Sequence, residues 1–263
     1  MTNIQSHIIK FVSENILSLS SDEVQEVYAE FLNVEESSDK LVRIDSTKIQ
    51  LGFSKYVDFK EIHKVQFDLP FYIDNKKEHT IMIVGMDAKA SHDTDEIILS
   101  TPYYLQSIKG RETNKNYYWK IIKLLGEHYN IYLSDVFKMY FEKEVIVSNE
   151  ISEYISDPLH LSLLNKEIIE IVNPIAIVSW GDKSRNLVAN LYDLKLRNSI
   201  SKDNLSIPYY INDNIKFIAT PHPSRRTFSE HWEDFFSSND VKNDTNSLDK
   251  KLATLIVNSL KEN

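Results

Sequence analysis

The segment His222-Pro223-Ser224-Arg225-Arg226-Thr227 gathers an imidazole, a rigid proline, hydroxyls and two guanidinium groups. Such groups can donate a hydrogen bond to a leaving group or hold an anion. The segment directly follows the apolar run Ile215-Lys216-Phe217-Ile218-Ala219-Thr220, which reads as a buried strand. A second apolar run, Thr80-Ile81-Met82-Ile83-Val84, ends in the same manner, in Gly85-Met86-Asp87-Ala88. Open α/β sheets bind ligands beyond the carboxyl ends of their strands. The two segments together predict one crevice, with a carboxylate from Asp87 and an imidazole from His222.

The elements that must position these groups can be read from hydrophobic spacing. Strands are expected at Ile81 to Met86, Ile131 to Phe137, Ile175 to Trp180 and Phe217 to Thr220. Helical spacing covers residues 4–33, broken and capped at Ser20-Ser21-Asp22-Glu23, and recurs at Trp119 to Leu125, Leu159 to Val172, Ser184 to Leu196 and Leu248 to Leu260. Strands alternating with helices predict a parallel sheet covered on both faces. The expected fold is α/β: a three-layer α/β/α core around a central, four-stranded, mainly parallel sheet, with an N-terminal helical lead-in. One domain is expected over residues 1–263, comprising a helical or irregular lead-in (1–78), the α/β core (79–236), and a polar linker with a C-terminal helix (237–263).

Composition narrows the chemistry. The 263 residues are 42% hydrophobic and 26% charged, as in ordinary globular domains. No apolar run reaches about 18 residues, so no membrane span is expected. The first residues, Met1-Thr2-Asn3-Ile4-Gln5-Ser6-His7, lack the basic and apolar regions of a signal peptide, and a cytoplasmic location is expected. Cysteine is absent, which excludes disulfides, thiolate nucleophiles and cysteine-held clusters. His92-Asp93-Thr94-Asp95 carries metal-type ligands, but no second group follows at matching spacing, so neither metal nor cofactor is expected. Gly181-Asp182-Lys183-Ser184 imitates the end of a phosphate loop but lacks its earlier glycine and its Gly-Lys pair. The net charge of −9 confines any nucleic-acid binding to a local basic patch.

Taken in order, a strand ending Gly-x-Asp, a strand ending in a polar pair, a strand ending in Gly and a strand ending His-Pro-Ser resemble the uracil-DNA glycosylase superfamily. Gly85-Met86-Asp87-Ala88 is similar to its first motif, with Ala88 where proline is usual, and His222-Pro223-Ser224 to its second. Ser134-Asp135-Val136-Phe137-Lys138 resembles the middle strand end, and Ile177-Val178-Ser179-Trp180-Gly181 the third strand. The resemblance spans roughly residues 78–235. It implies that Asp87 orients water and stabilises sugar cation character, and that His222 donates to the anion developing on the base. It places the substrate base among Gly85, Met86, Ala88, Tyr103 or Tyr104, Ser134 and Asp135. It implies phosphate or duplex contacts from Ser224, Arg225 and Arg226, with Lys183, Ser184 and Arg185 at a helix N-terminus and Lys89 and Arg111 as weaker rim candidates. Asp135 stands where uracil-reading members carry asparagine. An ionised Asp135 accepts from an amino group and cannot donate to a carbonyl.

The resulting expectation is a monomeric, metal-independent, monofunctional DNA glycosylase-like hydrolase. It would cleave the N-glycosidic bond of a damaged or deaminated base and bind DNA through a local basic patch. Two alternatives stand beside it: a glycosylase-fold nucleic-acid-binding protein with lost or altered catalysis, and a hydrolase of small nucleosides.

Overall fold

The computed structural model describes residues 3–32, 42–53, 66–87, 97–105, 117–139, 158–195, 209–211, 214–223 and 248–261. The chain divides into two compact units interleaved along the sequence. The first comprises Met1–Phe71, Asp87–Glu112 and Ser134–Ile171; the second comprises Tyr72–Met86, Thr113–Leu133 and Val172–Asn263.

The first unit opens with helices α1 (Asn3–Asn15) and α2 (Ser21–Leu32). They bury Ile8, Ile9, Phe11 and Val12 on one, and Val24, Val27, Tyr28 and Phe31 on the other, which is the spacing of one helical face. The expected cap is a reciprocal capping box. The Glu23 N–H donates to Ser20 Oγ at 3.3 Å, and the Ser20 N–H donates to Glu23 Oε2 at 2.8 Å. Three short strands, β1 (Val42–Ile44), β2 (Gln66–Asp68) and β5 (Ile97–Ser100), form a sheet ordered β1-β5-β2. The lead-in thus supplies strands as well as helices. Helix α4 (Pro158–Lys166) starts on a proline, where a missing N–H costs nothing, and continues as a π-helical turn from Glu167 to Val172.

The larger sheet is ordered β3-β6-β4-β7-β9-β8. Its strands are β3 (Phe71–Ile73), β4 (Thr80–Asp87), β6 (Asn130–Phe137), β7 (Ala176–Trp180), β8 (Tyr209–Ile211) and β9 (Ile215–Thr220). Strands β4, β7 and β9 are parallel neighbours, and β8 runs antiparallel to β9. The four strands expected from the sequence are adjacent at the centre of this sheet. The count of four is corrected to six by β3 and β8, which are only three residues long and leave little periodic signal. Every residue of β7 and β9 is buried, which explains their near-continuous apolar character.

In the second unit, helix α3 (Tyr117–Gly126) packs against α6 (Leu248–Lys261), and α5 (Asp182–Leu191) packs on β7 and β9. Buried Lys216 of β9 donates to the Ser259 carbonyl, one of the last carbonyls of α6 that no helical N–H can reach. Among the described residues, no helix is long and apolar enough to cross a membrane.

Side-chain amides tie the turn before β4 to the start of β6. Asn130 Nδ2 donates to the Lys77 carbonyl at 2.7 Å, and the Lys77 N–H donates to Asn130 Oδ1 at 3.0 Å. Asn75 Nδ2 donates to the Tyr129 carbonyl at 2.9 Å. The two Asn130 bonds imitate one rung of a sheet ladder beside Lys77, which lies outside any strand. Asn130→Ala is expected to lower stability by about 1–3 kcal/mol, as two backbone groups lose their partners. Chemical denaturation would measure the loss, and an unchanged midpoint would contradict this account of the turn.

Candidate active site

The site residue best defined by its surroundings is His222. It follows Thr220, the last residue of β9, and sits between Pro221 and Pro223, both buried. The prolines fix their own φ angles and hold the residue before each in extended backbone, so the imidazole is presented by a stiff segment. His222 itself is half-buried.

Gly181, at the end of β7, makes the close approach. Its backbone has φ 93° and ψ 162°, a region that is essentially closed to side-chain-bearing residues. Its N–H donates to the Thr220 carbonyl at 2.9 Å. A Cβ added there would stand 3.2 Å from the His222 Cβ, so the absence of a side chain allows the two strand ends to meet.

The imidazole rests on an aromatic ladder that the sequence reading did not assign. The Tyr118 ring, in the first turn of α3, meets it edge-on at 5.4 Å and 75°. The same tyrosine lies 5.4 Å from the indole of Trp180, the last residue of β7. The Tyr118 hydroxyl is 3.3 Å from Nδ1 and 3.2 Å from Nε2 of His222. It can donate to the bare nitrogen or accept from the protonated one. Burial pushes the His222 pKa below its ordinary value, so the ring is neutral at neutral pH. A neutral imidazole keeps one N–H donor and adds no charge to its site.

The other expected site residues divide between the units. In the second unit, Gly85 is buried and Met86 half-buried at the end of β4. Lys183 is exposed in the first turn of α5. Ser184 and Arg185 are buried and internally engaged. The Ser184 hydroxyl donates to the Trp180 carbonyl at 2.8 Å. The Arg185 guanidinium lies 3.4 Å from Asp182 Oδ1 and donates from Nε to Asn186 Oδ1 at 3.0 Å.

In the first unit, Ser134 and Asp135 of β6 are buried. The Ser134 hydroxyl accepts from Lys138 Nζ at 2.6 Å and donates to Glu167 Oε2 at 2.5 Å. Its proton and one of its lone pairs are thus used within the protein. Tyr103 is half-buried with φ 63°, strained for a bulky residue. Tyr104 shares its 3₁₀ turn, Pro102–Tyr104. Asp87 is the last residue of β4; the structure describes its backbone but not its carboxylate. Ala88, Ser224, Arg225, Arg226, Lys89 and Arg111 lie outside the described residues.

Tyr118 and Trp180 were the residues missed here. The one sequence signal for Tyr118 is aromatic crowding, Tyr117-Tyr118-Trp119, at the start of an amphipathic helix, and Trp180 is legible only as a strand end. Lys138 and Glu167 lie 29 positions apart, and nothing in the spacing pairs them. Among the described residues, no group of three or more His, Asp or Glu could hold a metal ion. No protein-family model matches the chain, and a comparison with curated proteins finds no match.

Two outcomes test this geometry. Gly181→Ala is expected to cost about 1–3 kcal/mol from backbone strain and to displace the His222 ring, seen as lower thermal stability and a shifted imidazole resonance. The second concerns pH. The folded His222 has a depressed pKa, so the unfolded chain takes up this proton first. The stability contributed by neutral His222 is therefore present above about pH 6.5, the ordinary value, and is lost as the pH falls through the lower folded value. Melting curves recorded on both sides of that window should show this loss in the wild type and lack it in His222→Gln; parallel curves would contradict the assignment.

Proposed function

We propose that this chain is an N-glycosidic bond hydrolase of the DNA glycosylase type, built on a three-layer α/β/α core. The reading is carried by one observation: a half-buried His222, neutral at neutral pH, at the carboxyl end of a parallel strand, with its imidazole braced by the Tyr118 hydroxyl.

Breaking a base–sugar bond leaves cation character on the sugar and negative charge on the departing base. An N–H donor aimed at that anion stabilises the transition state more than the ground state. A donor that is neutral beforehand need not shed a proton, and burial strengthens its bond to charge. Asp87 takes the complementary role of orienting water and stabilising the sugar cation. Asp135 takes the base edge, and Lys183 a phosphate. The substrate would be a damaged or deaminated base, with Asp135 favouring bases that offer an amino group.

A second reading, a hydrolase of small nucleosides, is favoured by a specific observation. Ser184 and Arg185 are spent on internal partners, and the chain carries a net charge of −9. A nucleoside has no phosphate backbone to hold.

Base release from oligonucleotides carrying uracil, hypoxanthine, xanthine or oxidised pyrimidines, run beside the free nucleosides, separates these readings. His222→Ala and Asp87→Ala are each expected to slow release by about 10²–10⁴-fold. Release from nucleosides alone would favour the second reading. No release from any substrate, or an undiminished rate in His222→Ala, would overturn the proposal.

A further inference from the structure

The first unit holds an ionic cluster with no exposure to solvent. Lys138 and Glu167 are both completely buried, with Lys138 Nζ 2.7 Å from Glu167 Oε1. Two further oxygens surround the ammonium: Ser134 Oγ at 2.6 Å and the Asp135 carbonyl at 2.6 Å. Two of these oxygens accept hydrogen bonds from the ammonium, and the carboxylate pairs with its charge. Ser134 closes the ring by donating to Glu167 Oε2. The negative charge of Glu167 is also felt at Tyr28, whose phenol is pushed well above its usual range by burial and then by that carboxylate.

The backbone of Lys138 is pinned as well. Its N–H donates to His160 Nδ1 at 3.2 Å, and its carbonyl accepts from the Asp68 N–H at 3.0 Å. The His160 ring is wedged between Phe53 and Phe137, with centroids 5.5 and 5.1 Å away. Glu167 is the first residue of the π-helical turn, a rare geometry that recurs at functional sites.

Stability is a poor explanation for such a cluster. Desolvating two charges offsets most of their attraction, and apolar residues of similar size often serve as well or better. What the cluster supplies is position. It fixes the Ser134–Asp135 end of β6 through one side-chain oxygen and one carbonyl. We propose that Lys138, held by Glu167, is the positioning residue that sets Asp135 and thereby determines which base edge is accepted. This rests on the glycosylase reading for the role of Asp135.

The test removes both charges together, in Lys138→Met/Glu167→Leu of the full chain, so that no unpaired charge is left buried. The double variant is expected to melt cooperatively, as the wild type does. Its preference for the best base over the next, read as a ratio of single-turnover release rates, is expected to fall by about 10²-fold, the scale set by a small misplacement of a reacting group. A folded double variant with an unchanged ratio would make the cluster purely structural and overturn the proposal. If the double variant does not fold, Ser134→Ala removes one arm of the cluster without touching charge, and the same two outcomes decide. If the wild type releases no base, the glycosylase reading fails, and position is read directly. The Asp135 carbonyl and amide resonances must then move in the variant while those of β5 stay in place; unmoved Asp135 resonances overturn the positioning role.

Discussion

Strand β7 is hydrogen-bonded on both edges, to β4 and to β9, and none of its side chains reaches solvent. That constraint orders the second unit. A strand enclosed on all sides can carry little but apolar residues, because each buried polar group must find a partner within the protein. Groups that meet a ligand are therefore displaced to where the strands end. Gly181 and His222 stand there, joined by the bond from the Gly181 N–H to the Thr220 carbonyl. The stiffness of the core is thus passed to the imidazole through a few residues of backbone.

The two units bury titratable groups by opposite means. His222 is desolvated and gives up its charge, so its pKa falls and the ring persists as a neutral donor. Lys138 keeps its place in an interior by surrounding its ammonium with oxygens and pairing with Glu167. The first solution suits a group that must interact with a changing charge, since the ring brings none of its own. The second suits a group that must not move, since its ammonium is held by a hydroxyl, a backbone carbonyl and a paired carboxylate. The chemistry of each residue type made that division available: an imidazole titrates near neutrality, whereas an unpaired ammonium so deeply buried would be strongly unfavourable.

Much of this architecture was legible in the residues, and the boundary of legibility is physical. The runs at Ile81, Ile131, Ile175 and Phe217 were readable as strands because burial on both faces demands unbroken apolar stretches, and they form β4, β6, β7 and β9. The Ser20–Glu23 box was readable because its bonds span three residues. Strands β1, β2, β3, β5 and β8 are three or four residues long, and their stability comes from partners distant in sequence. Helix α5 begins two residues before the expected Ser184, because Gly181 at φ 93° turns the chain directly into it. It ends at Leu191, short of the expected Leu196, where Asp193 takes φ 53°. For the site, local spacing flagged His222 and Gly181. Tyr118 escaped notice because it lies 104 positions from His222 and approaches only through tertiary packing. Ser134 and Asp135 were flagged as polar groups at a strand end, but the lysine and glutamate that occupy Ser134 belong to a pairing that no periodicity encodes.

The same engagement bears on how a polyanion could be held. Of the three expected phosphate ligands at the start of α5, Ser184 donates to the carbonyl of its own preceding strand, and Arg185 is neutralised by Asp182 on the same turn. Lys183 is the one left exposed. A single surface ammonium in a chain of net charge −9 contributes one counterion's worth of affinity, far below what duplex binding at physiological salt requires. Were DNA the ligand, further cations would have to come from residues outside the described ones, such as Arg225 and Arg226 after His222-Pro223, or Lys89 and Arg111. The distance along the chain between the Arg225 and Arg226 guanidinium groups and the imidazole is three and four residues. In the glycosylase reading, phosphate binding by those arginines and base chemistry at His222 would be neighbours along the chain.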